Sequence, residues 1–271
     1  MYELQKASLL KRASAYLLDI ILVAVLAVGF GYLFSSILGY DNYYSAWVEA
    51  QDDYQKNFEI VIDVAPEDFE ALTEEQKSAY ENELGITLPD TKEEYEARYI
   101  AADKAMGQDE ELIKVYSMLL NLSLITATFG VLFAFLVLEF GVPMLLKNGQ
   151  TVGKKVFAIG VMQITGIRIS PLSLFIRAIL GKYSIGTMIP LLCCILFFFG
   201  AGGGFPVILV FGIILLQVAL IIVTREHKTI HDLIGSTVVV DMQTQMIFKD
   251  KDALLAHQKK LAAEKAEDAR Y

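Results

Sequence analysis

An all-α membrane protein with about four transmembrane helices is the fold class this chain predicts, and three observations predict it. Of its 271 residues 55% are hydrophobic and the mean hydropathy is +0.46, more apolar material than a globular domain with 20% charged residues needs to fill its core. Four runs, near residues 14–38, 117–146, 183–200 and 205–224, are long and apolar enough to cross a hydrocarbon layer, which takes roughly 20 helical residues. Charge is segregated: residues 41–110 hold 20 acidic and 5 basic side chains, a net −15 that leaves +6 for everything else. An acidic block repels backbone phosphates, which argues against nucleic acid as its partner, and the lipid bilayer is the partner the apolar runs require.

Each element follows in order. Lys6, Lys11 and Arg12 ahead of the first run imitate a secretory signal, but the run exceeds roughly 20 residues and no small-residue cleavage pattern closes it, so it reads as an uncleaved helix. Lys147, Lys154 and Lys155 follow the second run, and Arg225 and Lys228 the fourth. Assigning all three basic clusters to the cytoplasm puts both termini inside a plasma membrane and the acidic block and the turn at residues 201–204 outside. In the acidic insertion, residues 41–112, a helix over residues 66–84 carries Phe69, Leu72, Ala79 and Leu84, with Thr73 and Gln76 at capping-box spacing and Gly85 as its stop. Pro89 and Asp90 start a second helix toward Met106, and residues 59–64 (EIVIDV) read as a short extended segment. Back on the inner side, the β-branched stretch 155–169, broken at Gly166, predicts a short cytoplasmic β-hairpin. Ser170 and Pro171 then start an interfacial helix reaching Arg177 and Leu180, too short to span. Residues 249–271 alternate charge with Ala and Leu as a surface helix would, within a charged cytoplasmic tail from 242. The implied division is 1–40, 41–112, 113–241 and 242–271.

Charge inside the apolar runs carries the functional signal. From Ala13 to Leu38 the only charged residue is Asp19, and a carboxylate within a membrane helix costs a few kcal/mol unless paired, hydrated or protonated. Seven helical residues turn a side chain by about 700°, so Arg12 and Asp19 share a face about 10 Å apart along the axis and can serve one site. Taken singly, Arg12 also fits an anchor snorkelling to headgroups, and Asp19 a helix–helix hydrogen bond. Glu139 lies eight residues before Lys147 in the antiparallel second helix, at a depth similar to Asp19. Two such carboxylates repel, so one holds a proton or a cation sits between them; Arg177 is the internal candidate and a metal cation the alternative.

Other motifs weigh less. Cys193 and Cys194 are adjacent in an apolar run and read as packing, not as a disulfide framework or metal site. His227 and His231 have i, i+4 spacing, but with no glutamate in the metalloprotease position and no third ligand nearby the segment reads as a capped turn, Thr229 and Asp232 forming the cap. Residues 149–155 (GQTVGKK) are one residue short between glycines for a phosphate loop and lack a Ser or Thr after the lysine. No nucleophile and base arrangement points to an enzyme, and no cofactor is implied.

Arg12 and Asp19 in the first helix, Glu139 before residues 148–154 (NGQTVGK), Arg177, and residues 229–232 (TIHD) leading to 237–239 (TVV) together resemble the RDD family of integral membrane proteins. The likeness covers residues 1–38 and about 117–241; the family's first outer loop is generally much shorter than the acidic block. The resemblance implies that the family's Arg and two Asp residues are Arg12, Asp19 and Asp232 here. It also implies a membrane protein of a family few of whose members have been linked to Na⁺ or H⁺ exchange. Two expectations follow. One is a small-cation transporter in which Asp19 and Glu139 hold a proton or a cation, Arg12 tunes them and Asp232 steadies the basic cluster, within a homo-oligomer because four spans are few for a transporter. The other is a non-transport anchor or sensor whose acidic insertion binds an envelope partner.

Overall fold

The computed structural model describes residues 5–146, 148–198 and 203–268, the last five by backbone alone. Lys147, the expected end of the third run at 199–200, Ala201 and Gly202 of the expected outer turn, and the end of the tail at 269–271 lie outside the described residues. Helices dominate: α1 (Leu9–Ile37), α2 (Tyr40–Phe58), α3 (Glu74–Leu84), α4 (Lys92–Met106), α5 (Glu110–Leu146), α6 (Val152–Val156), α7 (Pro171–Phe197), α8 (Phe205–Val223), α9 (Ile230–Ile234) and α10 (Lys251–Asp268). Strand β1 (Ile159–Gln163) precedes α7 and β2 (Thr237–Asp241) follows α9. Four helices, α1, α5, α7 and α8, are long and apolar enough to cross a membrane. The chain divides into two compact units, Gly31–Phe129 and the remainder.

The unit of residues 31–129 builds its own core. α2 begins just after Gly39, whose left-handed backbone ends the turn out of α1. The helix expected over residues 66–84 begins only at Glu74, after a separate 3-10 turn at Phe69–Ala71, because the capping box sets its start: Gln76 N donates to Thr73 Oγ1 at 3.3 Å and Thr73 N to Gln76 Oε1 at 2.9 Å, and α3 stops at left-handed Gly85. α4 starts from a Thr91 cap, one residue beyond the expected Asp90. Residues 59–64 are corrected: they turn, and bury Ile60, Val61 and Val64, where an extended segment was expected. The physical reason is Tyr95. Its buried hydroxyl takes the place of a partner strand, accepting from Val61 N at 3.4 Å and lying 2.8 Å and 2.9 Å from the Val61 and Val64 carbonyls. Phe69 stacks on the Tyr95 ring with centroids 4.1 Å apart, and burial pushes the Tyr95 phenol up to about 12.

In the larger unit β1 and β2 pair antiparallel, Ile159 opposite Asp241 and Gln163 opposite Thr237. The Gly166 turn does fold the chain back, Gln163 N donating to Ile167 O at 2.9 Å with a single bridge between Met162 and Arg168. The ladder itself, however, is made with a strand from the far end of the domain, because β2 offers three consecutive valines to bury against Val161 and Met162. Residues 5–7 add to the outer side of β2, Asp241 N donating to Gln5 O at 3.1 Å, which anchors the start of α1. Ser170 caps α7 with Pro171 in its first turn. The interfacial helix expected from Pro171 and the span expected at 183–200 are one continuous helix, a correction to both boundaries. Its middle, Arg177–Met188, is π-helical, and α5 has a second π-helical stretch at Leu136–Gly141. Hydropathy places a break at Arg177, Gly181 and Lys182, but Arg177 and Lys182 are buried against Asp232 and Glu139 and Gly181 packs against His231, so they do not interrupt the span.

Candidate functional site

Two charge centres occupy the larger unit. The first is built on Asp232, 1% exposed at the start of α9. Its Oδ1 is 2.5 Å from Arg177 Nη1 and its Oδ2 is 2.9 Å from Arg12 Nη2, so two guanidinium groups clamp one carboxylate. Thr229 donates to Oδ2 twice, from its hydroxyl at 2.6 Å and its backbone N–H at 3.1 Å, which is the cap expected of that pair. Arg177 also donates to Thr237 Oγ1 at 2.6 Å, and Arg12 to the His227 carbonyl at 2.6 Å. Burial alone would raise the Asp232 carboxyl, but Arg177 and then Arg12, with the Thr229 hydrogen bond, outweigh it and hold it well below the usual carboxylate range. Neighbouring His231, pushed well below its ordinary value first by burial, stays neutral. Close packing makes this geometry possible: a Cβ on Gly181 would lie 2.5 Å from His231 Cβ.

The second centre is built on Asp19. Its Oδ2 accepts from Thr151 Oγ1 at 2.5 Å and its Oδ1 from Gly153 N at 2.8 Å, both from the loop that starts α6. A Cβ on Gly153 would sit 2.3 Å from the Ala15 carbonyl and 2.9 Å from Asp19 Oδ1, so only glycine lets the loop backbone reach α1. Lys154 Nζ lies 3.1 Å from Thr151 Oγ1 and 3.8 Å from Asp19 Oδ2. Thr151 thus donates to the acid and accepts from the lysine. Beside them Glu139 and Lys182, both buried, pair at 2.5 Å, each carried on a π-helical stretch that turns it inward. The Lys154 ammonium is pulled down to about 7, first by burial and next by the charge of Lys182, with Glu139 and Asp19 offsetting part of the loss.

All five residues singled out from the sequence are buried or nearly so in this unit, but not as one cluster. Arg12 contacts Asp232 directly, and Arg12 and Asp19 serve different centres although both line one cavity. Arg177, expected as the counter-ion of Asp19 and Glu139, pairs with Asp232; Lys182 and Lys154 take the expected place. Sequence reasoning missed both lysines. Lys182 lies between the two helices the sequence predicts, and Lys154 reads as a cytoplasmic anchor; the i, i+5 spacing of Arg177 and Lys182 in a π-helical stretch is the available signal. His227 Nδ1 faces the Ile221 carbonyl at 2.8 Å and His231 Nε2 the Thr229 hydroxyl at 2.9 Å, so the two rings do not converge.

A cavity of about 650 Å³ opens beside both centres. Arg12, Asp19, Lys154, Arg177 and Lys182 line one side; Val210, Ile214 and Val218 of α8 line the other. Among the described residues every buried side-chain nitrogen and oxygen has a hydrogen-bond partner. The hydrogen bonds are complete, but the formal charges do not cancel: Arg12, Lys154, Arg177 and Lys182 stand against Asp19, Glu139 and Asp232.

Comparison with known proteins matches residues 6–236 to the model of the RDD family. The chain belongs to the RDD family. No curated protein and no solved structure matches it. The match runs through the acidic insertion as well as the membrane helices, and it contains both charge centres. This RDD protein is therefore a multi-pass membrane protein whose apolar helices need a lipid bilayer around them.

Proposed function

We propose that this RDD protein exchanges a small monovalent cation, Na⁺ or Li⁺, for a proton at the Asp19 centre, working in a plasma membrane with both termini cytoplasmic and as a homo-oligomer. The single observation that carries the reading is Lys154 beside Asp19, a buried lysine drawn down to about 7. A lysine drawn down that far can give up its proton near neutral pH. Charged, it balances Asp19. Neutral, it leaves a carboxylate and the Thr151 hydroxyl, oxygen ligands suited to a hard cation, with one uncompensated negative charge. A cation entering then replaces the proton that left, and the local charge is unchanged. Glu139, saturated by Lys182, is assigned to keeping Lys154 in place; this modifies the expectation that Asp19 and Glu139 share the exchanged ion. The role is transport, with no catalytic step.

In everted vesicles holding a pH gradient, wild type should collapse the gradient on addition of Na⁺ or Li⁺ and Asp19→Asn should not. An unresponsive wild type, or an Asp19→Asn variant that responds equally, contradicts the proposal. A second reading, an anchor or sensor working through the acidic insertion, is favoured by the separate core around Tyr95. Deleting residues 41–110 separates the two: a transporter keeps its ion response, whereas a sensor loses its phenotype with its transport-independent partner.

A further inference from the structure

The cavity has a direction. At one end stand Arg12, Arg177, Thr229 and His231, and at the other Ile185, Pro190, Val210 and Ile213. Ile221 marks the charged end, because its carbonyl meets the His227 ring and the His227 carbonyl accepts from Arg12. From Ile221 to Val210 the α8 wall runs about 16 Å at the helical rise. A polar head and an apolar tail of that length describe an amphiphile, and about 650 Å³ falls in the ordinary range for a bound organic molecule.

Charge selects the head. Asp232 is one carboxylate for two guanidinium groups, and the exchange of a cation for a proton at Asp19 leaves that surplus untouched. A buried surplus guanidinium is costly in a low dielectric and favours a bound anion, and Arg presents the planar fork that matches phosphate oxygens. We propose that the cavity takes an anionic phospholipid from the surrounding bilayer, with its phosphate at Arg12 and Arg177 and one acyl chain along Val210, Ile214 and Val218 of α8. The phosphate contacts, Arg12 and Arg177, are different residues from the Asp19, Thr151 and Lys154 of the proposed exchange, although Asp19 and Lys154 line the same cavity.

The full chain, purified in a non-ionic detergent, is offered dioleoyl phosphatidylglycerol, dioleoyl phosphatidylcholine or inorganic phosphate, with retained lipid read by native mass spectrometry and melting followed in parallel. The expected result is roughly tenfold tighter retention of the anionic lipid than of the zwitterionic one, because the phosphate is common to both but the choline ammonium cancels its charge and brings a cation toward the two guanidinium groups, with no stabilisation by phosphate alone. Ile214→Trp fills the apolar arm and should abolish the preference, and Val210→Phe should weaken it. Leu215→Trp, on α8 but outside the cavity lining, should leave it intact. Equal retention of the two lipids overturns the assignment of the head. Stabilisation by phosphate alone equal to that by the lipid overturns the assignment of the chain. Identical behaviour of Leu215→Trp and both cavity-filling variants overturns the location.

Discussion

Asp232 and Asp19 are both buried aspartates of one membrane unit, and their surroundings differ in kind. Asp232 is held by two guanidinium groups within 3 Å, by a threonine hydroxyl and by a backbone N–H. Asp19 has two close donors that carry no charge, Thr151 and Gly153, and the cation paired with it among the described residues is Lys154 at 3.8 Å. A carboxylate clamped by permanently charged arginines has no partner to give up, so it ties α1, α7 and α9 together. A carboxylate whose counter-ion is a lysine able to lose its proton can change partners. The same residue type is a tie in one place and, in the proposed function, the exchange point in the other.

The largest effect should come from breaking the tie. Asp232→Asn leaves two buried arginines without their acid, and removing one partner of a buried pair costs about 3–5 kcal/mol, so melting in detergent should fall sharply and little folded protein should remain. Should Asp232→Asn melt like wild type, the clamp is not a tie and the contrast fails. Acid makes the same test without a mutation. The folded Asp232 carboxyl is depressed, so its contribution is present above the ordinary carboxylate range and is lost as pH falls through the folded value.

Next in size is Gly153→Ala, whose Cβ meets the Ala15 carbonyl and forces the loop off Asp19. Ion exchange should be lost while the Asp232 centre, reported by protection of the α9 amides from hydrogen exchange, stays closed. Loss of protection at both centres would show that they are one structure. Thr151→Val removes one hydroxyl and leaves an acceptor short of a partner, which should cost about 1–3 kcal/mol and weaken Na⁺ dependence without abolishing folding.

The smallest effect is a slope. The folded Lys154 ammonium is depressed, so below about 7 both folded and unfolded chains hold the proton and the cost of burying the charge is fully present. Above that pH the folded chain releases the proton while the unfolded chain keeps it, and stability rises with pH by at most about 1.4 kcal/mol per unit. Melting temperature should therefore climb from pH 7 to pH 9 more steeply in wild type than in Lys154→Met. Parallel curves would remove Lys154 as the titrating group.

Much of the fold was legible because long apolar runs and cap residues act locally. α8, with no charged residue, and the Thr73 and Thr229 caps need only their own neighbours. The site was legible only as a set of residues, since burial depth marks Asp19 and Glu139 as costly without saying who satisfies them. The partners depend on two things that composition does not encode. The π-helical stretches rotate Glu139 and Lys182 together, and the absent side chain of Gly153 brings Thr151 and Lys154 to α1. Likewise β1 finds β2 rather than the near half of its own turn, and residues 59–64 follow the hydroxyl of Tyr95, a residue far along the chain.

In the proposed exchange a proton on Lys154 and a cation at Asp19 exclude each other. Titrating the protein with ¹³C-labelled lysine side chains in lipid nanodiscs, first in choline and then in increasing Na⁺, tests it directly. The predicted result is a Lys154 resonance, identified by its loss in Lys154→Met, that titrates near 7 in choline, moves to lower pH as Na⁺ rises, and stays fixed in Asp19→Asn. A Lys154 titration indifferent to Na⁺ would contradict the exchange.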